Sequence, residues 1–149
     1  MQVRLNAGRM TAIAVLAPLL VTAAGCGGGG AEFDARAGLG CVDDSAECIA
    51  RRRTTLRHLV TDQSRTWVKE PATAEAYASG VRLFAFRAKK NELTCDELAH
   101  ARREAEAARG VLSSAGARLT PAQVSRGALL AGEVGRELQS ELSRRCKKG

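Results

Sequence analysis

The chain has 149 residues, room for one small domain, with Lys+Arg 23 against Asp+Glu 16 and a formal net charge of +7. Aromatic residues are only 3% and the cations are interleaved with acids, which argues against a nucleic-acid module, since that needs a basic stripe and stacking rings. Hydrophobic residues reach 45% but alanine is abundant, so the expected core is made of small side chains and would gain from covalent staples.

The chain opens with MQVRLNAGRM, which carries Arg4 and Arg9 and no acid. Residues 11–24, TAIAVLAPLLVTAA, are apolar apart from two threonines. That stretch is shorter than the roughly twenty residues of a permanent membrane span. A basic start, a short apolar run and small residues before a cut form the secretory pattern. The run Ala23-Ala24-Gly25-Cys26 then resembles the lipobox of bacterial lipoproteins, with alanine where leucine is usual. The resemblance covers residues 1–26 only. It implies a diacylglyceryl group on the Cys26 sulfur, cleavage before Cys26, and a membrane anchor. The alternative is an ordinary secretory signal cut near Ala23. Position 27 is glycine rather than aspartate, which the resemblance links to transfer to the outer membrane, facing the periplasm, where the cell has one. Cleavage would remove Arg4 and Arg9, leaving 21 cations against 16 acids and a charge of +5.

The chain therefore divides into a signal peptide over 1–25, a lipidated cysteine and flexible linker over 26–40, and a helical domain over 41–149. The linker carries the run Gly27–Gly30, suited to a tether. Phe33 is the apolar side chain in it expected to dock on the domain.

The domain reads as four helices. Helix 1 is expected over about 45–62, capped by Asp44 with Glu47 three residues on, and with Ile49, Leu56, Leu59 and Val60 as its apolar face. A loop at about 63–72 holds Trp67 and Pro71. Helix 2 is expected over about 73–90 on Ala74, Tyr77, Ala78, Val81, Phe84 and Ala88. Helix 3 starts at a capping box, Thr94 with Glu97, stapled by Leu93 and Leu98, and runs to about 111 on Leu98, Ala101, Ala105 and Ala108. Helix 4 repeats the device with Thr120, Gln123, Leu119 and Val124. Pro121 stands at its first position, and the helix runs to about 145 on Val124, Ala131, Leu138 and Leu142. The expected fold is all-α, a small four-helix bundle in up-down order.

Setting Cys26 aside as the anchor leaves Cys41, Cys48, Cys95 and Cys146, an even set suited to two disulfides. Alternating helices bring all four to one end. Four cysteines allow three pairings, and matching their depth favours Cys48–Cys95 with Cys41–Cys146. Zinc is disfavoured because no C-x2-C occurs and exported proteins meet oxidants. Glu97-x-x-His100 has the spacing of a di-iron ligand pair, but no carboxylate stands three residues before His58, so both histidines read as surface groups. No metal or cofactor site is expected, and no hydrolase, phosphate-loop or dinucleotide motif appears.

The basic runs Arg51–Arg53, Lys89–Lys90 and Arg144–Arg145 with Lys147–Lys148 either face anionic lipid or cell-wall polymer, or complement helix dipoles. Gly127, Ala131 and Gly135 make a small-residue stripe on helix 4. It serves close helix packing or, with Trp67, an interaction surface. The leading expectation is a non-catalytic, lipid-anchored cell-envelope protein that is structural or binds an envelope protein or cell-wall component. The alternatives are a periplasmic ligand-binding or enzyme-inhibitor module, and a hydrolase whose catalytic residues come together only in the fold.

Overall fold

The computed structural model describes residues 36–146. They form five α-helices: α1 (Ala46–Thr61), α2 (Ala74–Ala78), α3 (Val81–Lys89), α4 (Cys95–Ser113) and α5 (Pro121–Arg145), with 3₁₀ turns at Thr66–Lys69 and Gly116–Arg118 and no strand among the described residues. The all-α bundle expected from periodicity is present, with two disulfides.

Local chemistry sets the helix starts. Thr94 and Thr120 accept from the N–H of Glu97 and Gln123, whose side chains return to the cap N–H groups, so both capping boxes close. Pro121 occupies the first turn of α5. At α1 the cap is Ser45, not Asp44: the Ser45 hydroxyl accepts from the Cys48 N–H at 3.2 Å. Asp44 is instead drawn outward to Arg126, 3.0 Å away, and Arg52, 3.4 Å away.

The helix expected over 73–90 is two helices. It breaks at Gly80, whose φ of +77° favours glycine. The break changes the rotational phase. Val81, Arg82, Leu83, Ala85, Phe86 and Lys89 are buried, while Phe84 and Ala88, expected in the core, are exposed. A Cβ on Gly80 would also press on Leu130 and Phe84 at 3.1 Å.

The topology departs from simple alternation. Gln123 donates to the Val42 carbonyl at 3.0 Å, so α1 begins beside the start of α5. Arg65 pairs with Glu97 at 3.3 Å, so α1 ends beside the start of α4. Residues 62–73 then return along the bundle without forming an α-helix. Ala78 lies against Gly127 near the start of α5, and Arg145 donates to the carbonyls of Lys90 and Leu93 near its end. Hence α1, α3 and α5 run one way and α4 runs the other. The segment expected to be a short loop takes the place of a rod.

That return corrects the cysteine pairing. The disulfides are Cys41–Cys48 and Cys95–Cys146, with Cα separations of 5.3 and 5.7 Å. Cys48 lies at the end where α5 starts, and Cys95 at the end where α5 finishes. Depth matching assumed all four shared one end, and a bundle length now separates Cys48 from Cys95. Cys41–Cys48 is a local clasp across the turn into α1. Cys95–Cys146 closes the α4–α5 hairpin.

Residues 36–40, read as the end of a linker, form a turn packed on α1. Gly38 is buried and donates its N–H to the Thr55 hydroxyl at 3.1 Å. A Cβ there would meet that hydroxyl at 2.5 Å and the Arg51 carbonyl at 2.6 Å, so only glycine fits.

Candidate functional site

The densest polar cluster surrounds Arg82, a cation only 3% exposed in the middle of the core. Its guanidinium pairs with Glu104 of α4 through two nitrogens, one of them 2.7 Å from Oε2. It also donates to the carbonyls of Trp67 at 2.7 Å, Val68 at 3.2 Å and Glu70 at 2.6 Å. Arg82 thus pins the return segment to α4. The Trp67 and Phe86 rings lie within 5.8 and 5.3 Å of the same guanidinium and 5.2 Å from each other. Burial, then the Glu104 carboxylate, pushes the Tyr77 phenol above its ordinary value. His100 Nε2 stands 3.6 Å from Glu104 Oε2 on the half-exposed side.

These groups resemble an acid–base cluster in composition but not in availability. Arg82 spends its nitrogens on one carboxylate and three carbonyls, which serves a fixed backbone path. Sequence reasoning missed both Arg82 and Glu104. The available signal was a cation inside the apolar phrase VRLFAF (81–86), but its partner is 22 residues away.

Two grooves flank α5. One, of about 450 Å³, lies between α4 and α5 and is lined by Ala105, Glu106, Arg109, Ala128, Gly132 and Arg136 among others. The second, of about 340 Å³, is bounded by Asp44 and Arg52, Gly80 and Phe84, and Arg126 and Leu130. The stripe Gly127–Ala131–Gly135 is divided between core and groove. Gly127 is buried where a Cβ would lie 3.0 Å from Leu112 and 3.2 Å from the Ala78 Cα. Ala131 is 2% exposed, and Gly135 faces Ala105 at ordinary contact distance. Trp67 is 4% exposed. The surface expected from Trp67 and this stripe is therefore mostly core, because the return segment turns Trp67 inward and α5 closes on α2 and α4.

The basic runs have separate fates. Lys89 pairs with Glu92, Lys90 with Glu137 at 2.6 Å, and Arg144 with Glu141 at 2.7 Å. The Lys90 hydrogen bond, with Arg87 beside it, holds the Glu137 carboxyl below the usual range, and Arg144 does the same for Glu141. Arg51 pairs with Glu47. Arg53 and Arg57 are exposed with no carboxylate partner among the described residues. Lys147 and Lys148 lie outside the described residues, as do Cys26 and the segment before it.

Among the described residues no three His, Cys, Asp or Glu side chains are grouped to hold a metal ion, and no helix is long and apolar enough to cross a membrane. Comparison with family models, with curated proteins and with solved structures finds no match to this chain.

Proposed function

We propose that this chain is a lipid-anchored protein of a bacterial cell envelope, held through Cys26, whose helical domain has a structural or protein-binding role without catalysis. The observation that carries this reading is the division of the five cysteines. Four are consumed in two disulfides within the domain, and the fifth, Cys26, stands at the end of a basic, apolar and small-residue run ending in Ala-Ala-Gly-Cys. Disulfides accord with an oxidising compartment outside the cytoplasm. The commitment of Arg82 to backbone carbonyls supports a structural role for the cluster around it. The partner would be another envelope protein or a cell-wall component.

The test is mass spectrometry of the membrane fraction. The expected mature N-terminus is Cys26 carrying a diacylglyceryl thioether, and Cys26→Ser should move the protein out of that fraction. A soluble, unmodified mature form would sink the reading.

The α4–α5 groove favours one alternative, a periplasmic ligand-binding or inhibitor module. Its apolar floor and its rim of Arg109 and Arg136, with Glu106 held by Arg102, suit a small anionic ligand. Chemical-shift changes confined to α4 and α5 on screening such ligands would favour that alternative.

A further inference from the structure

α1 carries a net positive charge: it holds Arg51, Arg52, Arg53 and Arg57 against the single acid Glu47. At 100° per residue, Leu56, Ile49, Val60, Arg53, Ala46 and Arg57 fall within one arc of about 100°. Among the described residues Ala46, Arg53 and Arg57 of this arc are exposed, and Ile49, Leu56 and Val60 are half-buried. Leu56 reaches the core, but Ile49 and Val60 stay half-exposed outside it, and Arg53 and Arg57 are exposed. The turn at 36–40 lies on the other flank, against Thr55 and the Arg51 carbonyl. On the open flank Arg52 shares a groove with Phe84, a large aromatic that is 42% exposed on α3.

The charges around this face do not cancel. Asp44 is answered by Arg52 and Arg126, and Glu133 and Glu137 by Arg87 and Lys90. Arg53 and Arg57 have no ion-pair partner among the described residues, and the remaining acids, Asp43 and Asp62, stand at the two ends of α1. We infer that the outer face of α1, with Ile49, Arg53, Arg57 and Val60, together with Phe84 of α3, docks on an anionic lipid surface. Arginine takes phosphate oxygens through its planar fork, and half-exposed aliphatic and aromatic groups suit the headgroup boundary. This inference builds on the reading of Cys26 as a lipid anchor, which would confine the domain near a bilayer. Nine residues separate Cys26 from Arg36, ten Cα–Cα steps that extend at most about 35 Å. A helix is about 10 Å across, so the attachment can pass around α1. The two acyl chains of a diacylglyceryl group would anchor the chain by themselves, and a basic face would add the contact that holds the domain flat against the membrane.

The test uses the full chain, reconstituted in phosphatidylcholine vesicles with or without phosphatidylglycerol, and arginine modification by a dicarbonyl reagent read by mass spectrometry. Arg53 and Arg57 should react about fivefold more slowly when phosphatidylglycerol is present, and half-molar salt should abolish the difference. The exposed Arg103 and Arg109 on α4 should react equally in both. Equal reactivity of Arg53 and Arg57 in both vesicles would overturn the inference. So would protection by soluble polyglutamate but not by phosphatidylglycerol, which would assign the face to an acidic polymer. The same spectra report acylation of Cys26. Protection without acylation would refute the anchor and leave the surface standing; acylation without protection would do the reverse.

Discussion

α4 and α5 meet along their lengths, start at matching capping boxes, and are closed at one end by Cys95–Cys146. The half built from α1, the return segment and α2–α3 is held differently. Its helices are shorter or broken, its N-terminal turn is clasped locally by Cys41–Cys48, and its path depends on one buried arginine. In the hairpin, local signals and tertiary packing agree at each step. In the other half a long-range polar contact decides the route. Stability should accordingly be concentrated in few residues on one side and distributed on the other.

Arg82 offers the strongest way to break that contrast. Arg82→Met keeps the bulk of the side chain but leaves the nearly buried Glu104 without its cation and the Val68 and Glu70 carbonyls without a donor, while the Trp67 carbonyl keeps the Glu70 N–H. The expected loss is about 4–5 kcal/mol, a large share of the stability of a small domain. Adding Glu104→Leu should restore part of it, because two apolar groups replace an orphaned charge. Urea denaturation of the three proteins measures this. A loss under about 1 kcal/mol for Arg82→Met would mean that the return segment is held by Trp67 and Val68 packing instead.

The contrast also explains what was legible in the sequence. Thr94 with Glu97 and Thr120 with Gln123 declare their roles within four residues, and the faces Leu98–Ala108 and Ala131–Leu138 are buried as periodicity predicts. The break at Gly80 had a local signal, a glycine in a helical run, but that signal competes with a strong apolar period on both sides. Asp44 and Ser45 are adjacent capping residues, and the choice between them turned on Arg126, 82 residues away. The route of residues 62–73 left no local trace. Arg82 reads as a helix-surface cation until Glu104 and the carbonyls are brought to it. Once that route is misjudged, α1 points the wrong way and the disulfides are paired wrongly. The site followed the same rule: the run Arg51–Arg53 was visible, but the addition of Arg57 and the lack of a carboxylate on Arg53 and Arg57 among the described residues depend on the fold.

The two disulfides give a second comparison, between a long and a short closed loop. Cys95–Cys146 spans 51 residues and Cys41–Cys48 spans 7. Chain entropy assigns about 4 kcal/mol to the first and about 2 kcal/mol to the second. Replacing Cys95 and Cys146 with serine should therefore lower the denaturation midpoint about twice as much as replacing Cys41 and Cys48. Equal effects would show that the short clasp also supports native contacts, with Gly38 on Thr55 the nearest at hand.

The smallest effect separates core from groove within α5 itself. Glycine in a helix interior costs about 0.8–1 kcal/mol relative to alanine. At Gly127 the fold imposes that cost, since a Cβ would press on Leu112 and on the Ala78 backbone. Gly127→Ala should destabilise by about 1 kcal/mol, because overpacking outweighs the helix gain. At Gly132 a Cβ meets only the end of the Arg136 side chain, at 3.7 Å, so nothing within the domain requires glycine there. Gly132→Ala should stabilise by about 0.8 kcal/mol, read as a rise in melting temperature of about 4 °C. Opposite signs would confirm that α5 has a closed face on α2 and α4 and an open one beside the groove. A loss at both positions would mean that α4 and α5 close further in solution and that the groove is packed rather than open.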